Sequence, residues 1–293
     1  MHQKTLRAAC DISGIGLHSG KEARLRILPA PANHGVVFRT RKLLRWVDIP
    51  ARTPYVTRTT LSTSLGYAGS EVCTVEHLMA ALAGLEIDNA IIELAGTEIP
   101  VMDGSAMPFV ERLRAVGVKV LPALRSYLRI LQPIAVTDED RSAGLVPADR
   151  SIFTFTIDYP HPAIGHQQLS LELTPQTFVE EVAASRTFGF EEELQALQAN
   201  GLARGAGLDN AVGLGRDGAI LNPEGLRFPD EFVRHKILDA MGDLYLAGMP
   251  LLGEYRGVKS GHALHLKLLQ ALVRHHDCWD VVTLPALQKA AAV

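Results

Sequence analysis

Cysteine is scarce in this 293-residue chain: Cys10, Cys73 and Cys278 are all it has. They form no C-x-x-C pair, and three thiols cannot all pair within one chain, so a reducing compartment fits. No apolar run approaches the eighteen or so residues that a membrane helix needs. The opening Met1-His-Gln-Lys-Thr-Leu-Arg7 reaches Asp11 without the apolar core of a secretory signal, so a soluble, cytoplasmic protein is expected. One-signed charge is also missing. A formal net charge of -3 leaves no basic field across the chain and argues against nucleic acid as the partner. Neither the P-loop nor the dinucleotide-fold glycine spacing occurs, which disfavours a simple nucleotide-binding module. An amphiphilic substrate at a membrane surface remains compatible with all of this.

What is present is ordinary globular composition, 47% hydrophobic and 21% charged, long enough for two modest domains. Short strand-like runs at Ala23–Leu28, Val36–Arg39 and Trp46–Ile49 surround Gly14-Ile-Gly-Leu-His-Ser-Gly20, which reads as a tight hairpin with His18 in its loop. Thr74 is placed as the N-cap of a helix over Glu76–Ala83 that Gly84 stops. A strand over Asn89–Leu94 and a helix over Met107–Val116 follow. The pattern then repeats, with strands near Leu128–Ala135, Ile152–Ile157, Gln168–Glu172 and Val258. Helices are expected over Pro175–Ala183, Glu191–Gln198, Glu231–Asp243 and His262–His275. Two similar strand-and-helix units, 1–124 and 125–293, would face each other and form an α+β protein.

The Glu231–Asp243 stretch carries the strongest chemical signal. Val233, Ile237, Ala240, Met241 and Leu244 make its buried stripe, while His235, Asp239 and Asp243 recur at every fourth position along an adjacent face. A His and an Asp one turn apart can grip one divalent metal, although most such exposed pairs are merely solvated. If the two units face each other, His77 supplies a third ligand, and a His2-carboxylate set leaves a coordination position open. Glu76 could then take a proton from activated water. Asp243 could hold His262 protonated, as an oxyanion stabiliser and proton donor. Alone, each has a plainer reading: Glu76-His77 as a helix-dipole pair, Asp243 as a cap, Thr187 as a turn hydroxyl, Lys236 and Lys259 as surface cations, and Leu194, Leu197, Leu202, Leu208 and Val212 as packing.

Several stretches, in order, resemble one family. They are Gly14–Gly20, Thr74-Val-Glu-His-Leu-Met-Ala-Ala-Leu82, Met102-Asp-Gly-Ser-Ala106, Ser185-Arg-Thr-Phe-Gly189, Leu208-Asp-Asn-Ala211, His235-Lys-Ile-Leu-Asp239 and Ser260-Gly-His-Ala263. From about residue 3 to 275 the chain is similar to the UDP-3-O-acyl-N-acetylglucosamine deacetylases. The resemblance implies zinc-dependent removal of acetate from a UDP-linked, 3-O-acylated N-acetylglucosamine, the committed step of lipid A biosynthesis in Gram-negative bacteria. It also implies two domains, each a β-sheet packed with two helices, the helices sandwiched between the sheets. Carried over, His77, His235 and Asp239 are the zinc ligands and Glu76 is the general base. His262 is the acid oriented by Asp243, and Thr187 assists the oxyanion. Lys236 and Lys259 serve the sugar nucleotide, Phe188 and Tyr159 line the pocket, and Leu61 with the Glu191–Val212 segment serves the acyl chain. Iron(II) suits the same ligands. The expected protein is a monomer. Departures from the family pattern fall at Ser62 and Gly207, away from the ligands. The alternatives are a zinc amidohydrolase for another N-acetylated sugar and a non-catalytic protein clamped by its metal.

Overall fold

The computed structural model describes residues 1–43 and 45–283; the expected second unit, 125–293, therefore extends past the described residues. The protein is α+β. A five-stranded sheet runs in the order Cys10–Ile15, Glu22–Pro29, Ala90–Ala95, Val36–Lys42, Arg45–Pro50. Its strands alternate buried and exposed side chains, as in Glu22–Pro29, where Ala23, Leu25 and Ile27 point into the core. A seven-stranded sheet is built around Leu251–Val258. That strand pairs in parallel with Ser151–Tyr159 on one side and antiparallel with Arg141–Val146 on the other. Every strand ladder among the described residues closes within residues 2–124 or within 126–283.

Helices fill the space between the sheets. Met107–Val116 lies on Cys10–Ile15, Glu231–Leu244 on Ser151–Tyr159 and Gly165–Glu172, and His262–Arg274 on Ile134–Asp138 and Arg141–Val146. Glu76–Gly84 packs on Met107–Val116 and, most extensively, on Glu231–Leu244. One continuous apolar cluster joins the two halves, from Leu25, Ile27 and Phe38 through Leu78 and Leu82 to Ile237, Phe155 and Leu268. Glu76–Gly84 is apolar on nearly all sides because it is enclosed on nearly all sides.

The close helix contact depends on one glycine. A methyl group placed on Gly242 would lie 2.0 Å from the backbone oxygen of Glu76. Only a residue without Cβ lets the start of the first-half helix approach the His235–Asp243 face of its partner.

Most expected elements are found, with shifted ends, and the Gly14–Gly20 stretch is indeed the bend between Cys10–Ile15 and Glu22–Pro29. Four expectations need correction. Thr74 is not a cap: it adopts φ +58° and its hydroxyl donates to Glu98 Oε1 at 3.2 Å, so Val75 stands at the N-cap position without a side-chain bond. Gly84 does not terminate its helix through a left-handed turn but ends it as the landing site for Phe178, whose ring would lie 2.1 Å from an added methyl. The strand expected near Leu128–Ala135 is two, Ser126–Ile130 and Ile134–Asp138, interrupted before Pro133, which has no N–H for a ladder. The helix expected over Pro175–Ala183 is a single capped turn, Pro175–Thr177, followed by a widened turn over Phe178–Val182 that delivers Phe178 to Gly84.

Gly242→Ala is expected to destabilise the protein by about 2–3 kcal/mol or more, because backbone rather than a flexible side chain must give way. An unfolding transition within a degree of the parent's would contradict this account of the helix contact.

Candidate metal centre

The contact at Gly242 sets the first-half residues Glu76 and His77 against the His235–Asp239 turn. His77 Nε2 lies 3.1 Å from His235 Nε2 and 3.4 Å from Asp239 Oδ1, and His235 Nε2 lies 3.5 Å from the same oxygen. All three residues are buried. Two ring nitrogens and a carboxylate oxygen facing one point are unexplained by hydrogen bonding alone. A tetrahedral cation with ligand bonds of about 2.0–2.1 Å has ligand–ligand edges of about 3.3–3.4 Å, which these separations match. Burial, reinforced by the charge of Lys236, holds the His235 imidazole well below its usual pKa. Asp239 lies well below the usual carboxylate range although burial opposes ionisation, because His235, Lys236 and a bond from His77 favour its anion. A neutral imidazole and an ionised carboxylate are the forms that bind metal. The residues therefore fit a divalent cation.

A second group, Asp243, His262 and His265, also clusters three potential ligands. Its geometry differs. Both imidazole Nδ1 atoms lie 2.7 Å from Asp243 Oδ2, too short for the edges of a metal polyhedron and right for charge-assisted hydrogen bonds. Thr63 Oγ1 donates to the other oxygen of Asp243 at 2.6 Å, and Thr63 N donates to Glu76 Oε2 at 3.0 Å. One threonine thus ties the two carboxylates together. Glu76 is 3% exposed, and burial raises its pKa to about 7, partly offset by His262 and His77. Burial opposes the charged form of His262, yet Asp243, Glu76 and Asp239 together raise its pKa to about 10. Asp243 is held far below its ordinary value despite burial, through His262 and His265.

The expected substrate residues do not form one cluster. Phe188 lies beside the metal residues: its ring packs edge-on against His235 at 5.9 Å, Tyr159 at 5.8 Å and Phe232 at 5.0 Å. Lys236 Nζ sits 5.5 Å from the Phe188 ring centre and 2.9 Å from Asp239 Oδ2. Thr187, half-buried, immediately precedes Phe188, and its backbone links Gly104 to Val212. Lys259 is set apart, its Nζ 3.0 Å from both Asp140 and Asp158. The Glu191–Ala199 helix buries no residue, and Leu194 and Leu202 are half-buried. Leu61 and Leu208 are exposed at 51% and 43%, whereas Val212 is fully enclosed beside Phe188 in a short parallel ladder. The loop after Glu191–Ala199 leans on the first half: Ala203 N donates to His18 Nδ1 at 3.3 Å, and Gly205 N to Leu17 O at 2.9 Å.

Sequence reasoning passed over Thr63, His265 and a buried ion-pair network. Thr63 lies in a stretch with no periodic signal. His265 was visible, three residues after His262 and so on the same helix face. Arg186, within Ser185-Arg-Thr-Phe, is 2% exposed and donates to Glu231 through both its backbone N and its Nε at 2.9 Å. It also reaches Glu224 and Gly225 O at 2.7 Å. Arg227 pairs with Asp103 of the first half at 2.8 Å and donates its backbone N to Glu231 at 2.7 Å. This network ties the segment leading into the Phe188–Phe190 strand to the first turn of the Glu231–Leu244 helix.

A buried His2-carboxylate triangle that fits a cation, beside a carboxyl whose pKa is raised to about 7 and a His–Asp pair, offers the groups that metal-assisted hydrolysis uses. Residues 3–274 match the model of the family described as LpxC, UDP-3-O-acyl N-acetylglycosamine deacetylase. Among similar proteins is the UDP-3-O-acyl-N-acetylglucosamine deacetylase of Saccharophagus degradans, 47% identical over 283 residues, covering 96% of this chain and 93% of that one. Others are those of Idiomarina loihiensis, 47% identical over 99% of this chain and 96% of theirs, and Myxococcus xanthus, 46% identical over 96% and 89%. The chain belongs to the UDP-3-O-acyl-N-acetylglucosamine deacetylase family. Among the described residues no helix is long and apolar enough to cross a membrane.

Arg186→Leu strips Glu231 of its buried charge partner, and urea unfolding is expected to show a loss of about 3–5 kcal/mol. A loss below about 1 kcal/mol would show that the ion pair does not fix this segment.

Proposed function

We propose that this protein hydrolyses the acetamide of UDP-3-O-[(3R)-3-hydroxyacyl]-N-acetylglucosamine, releasing acetate and the free amine, as the committed step of lipid A biosynthesis. The observation that carries the reading is the metal-fitting triangle of His77, His235 and Asp239 with Glu76 in the adjoining position. The cation is zinc, with iron(II) suited to the same ligands. When bound, it supplies a Lewis acid that polarises the amide carbonyl and acidifies water.

The chain's own groups supply the proton transfers. Glu76, ionised, accepts a proton from the attacking water as the carbon–oxygen bond forms. Thr63 N holds one of its oxygens in place. His262, with Nδ1 committed to Asp243, offers Nε2–H to the developing oxyanion and then to the departing nitrogen as the carbon–nitrogen bond breaks. Thr187 adds a hydroxyl donor to the oxyanion. Lys236 and Lys259 bind the sugar-nucleotide end, and Phe188 with Tyr159 forms an aromatic wall against the sugar. Leu61, Leu194, Leu202, Leu208 and Val212 serve the acyl chain. The protein works as a cytoplasmic monomer of two units, 1–124 and 125–293.

The test is acetate release from the acylated substrate and from its counterpart without the acyl chain, using protein stripped by chelator and reloaded with zinc. Release that requires both metal and acyl chain supports the proposal, and equal release from both substrates would replace it with a general sugar deacetylase. Glu76→Gln is expected to retain metal and lose about 10²–10⁴-fold in kcat. The pH dependence of kcat/KM should be bell-shaped. A base must be unprotonated, so activity rises as pH passes the pKa of Glu76, at or below about 7 because the cation pulls it down. An acid must be protonated, so activity falls as pH climbs towards about 10, where His262 loses its proton. A profile without an alkaline limb would remove His262 from the acid role.

A further inference from the structure

We propose that His265 is a positioning residue for the Asp243–His262 pair, a role that rests on the hydrolase reading given above. His265 is fully buried, and its Nδ1 shares Asp243 Oδ2 with His262 Nδ1, each at 2.7 Å. The two imidazoles stand nearly perpendicular with centres 6.2 Å apart. Asp243 thereby receives three donors, Thr63 on one oxygen and both imidazoles on the other, and its carboxylate plane is fixed from two separate elements.

The hydrogen bonds around His265 accommodate a neutral imidazole. Tyr255 is buried, and its hydroxyl lies 2.8 Å from Ser260 Oγ; Ser260 Oγ in turn lies 3.4 Å from His265 Nε2. In the relay that fits this pair, the Tyr255 phenol donates to Ser260 Oγ and the Ser260 hydroxyl donates to His265 Nε2. Nε2 is then an acceptor and Nδ1 the only N–H. In that relay His265 donates through Nδ1 to Asp243 without bringing a second cation into the site. Two buried cations against one carboxylate would be costly, and the relay from Tyr255 avoids that.

The consequence is a shared counter-ion. By taking part of the Asp243 charge, His265 limits how firmly Asp243 holds the proton on His262, so that His262 can release it. The other charged or titratable groups facing His262 are His235 and Asp239 on the Glu231–Leu244 helix, Glu76 at the start of the first-half helix, and His18 in the hairpin loop. None of them touches Asp243 Oδ2.

The test begins with nitrogen NMR of the metal-loaded protein labelled at histidine. His265 should be neutral and carry its hydrogen on Nδ1 between about pH 6 and 9. A cationic His265, or one protonated on Nε2, overturns the proposal whether or not the enzyme turns over. In kinetics, His265→Leu should lower kcat about ten-fold with KM unchanged. It should also move the alkaline limb upward by roughly half a unit or more, because Asp243 Oδ2 then serves His262 alone. His265→Asn, which keeps an N–H in nearly the same place, should restore both. A Leu variant with an unmoved limb refutes the role. If that variant does not fold, the NMR measurement and the Asn variant decide. Parent protein that shows the expected tautomer but releases no acetate would fail the deacetylase reading and not this one.

Discussion

The contact between the Glu76–Gly84 and Glu231–Leu244 helices is the constraint on which the site depends. Neither half holds the metal-fitting triangle alone: His77 comes from one, His235 and Asp239 from the other. Gly242 permits the approach, and the apolar sides of both helices supply the burial that holds it. At roughly 25 cal/mol per Å² of apolar surface, side chains such as Leu78, Leu82 and Ile237 each contribute about 1.5–3 kcal/mol on full burial. That stabilisation offsets the desolvation of the charged groups gathered at the same interface.

Three carboxyl groups share this buried region, and their surroundings separate them. Asp239 keeps its charge through Lys236 and the imidazoles facing it, and Asp243 through His262, His265 and Thr63. Glu76 has a backbone N–H and no directly bonded cation, so its pKa rises to about 7. Carboxyl groups pushed apart in this way can take different roles: ligand, orienting anion and base. Mutating a neighbour changes those roles through charge before it changes them through shape.

Much of the site could be read from the sequence, because its residues repeat at helical spacing. His235, Asp239 and Asp243 sit on one face by period alone, and Glu76-His77 opens a helix with a clear apolar stripe. The juxtaposition of the halves was less legible. It depends on Gly242, which a linear reading takes as an unremarkable residue in a helix, and on contacts between residues more than a hundred positions apart. Local rules erred where tertiary contacts prevailed. Thr74 had the chemistry of a cap but was claimed by Glu98. Gly84 is the last residue of its helix, as expected of a stop, but its missing side chain makes room for Phe178 rather than for a left-handed turn. Arg186 gave no signal because a buried arginine resembles a surface one until its partner Glu231 is seen.

The most direct test of the account is metal binding by the intact chain, measured by competition with a chromophoric chelator. The parent should take up one zinc per chain at high affinity. His77→Ala, altered only in the first half, should weaken it as much as Asp239→Ala, altered only in the second, with folding intact in both. If His77→Ala left zinc affinity unchanged, the site would belong to the second half alone, and the claim that the helix contact assembles it would be wrong.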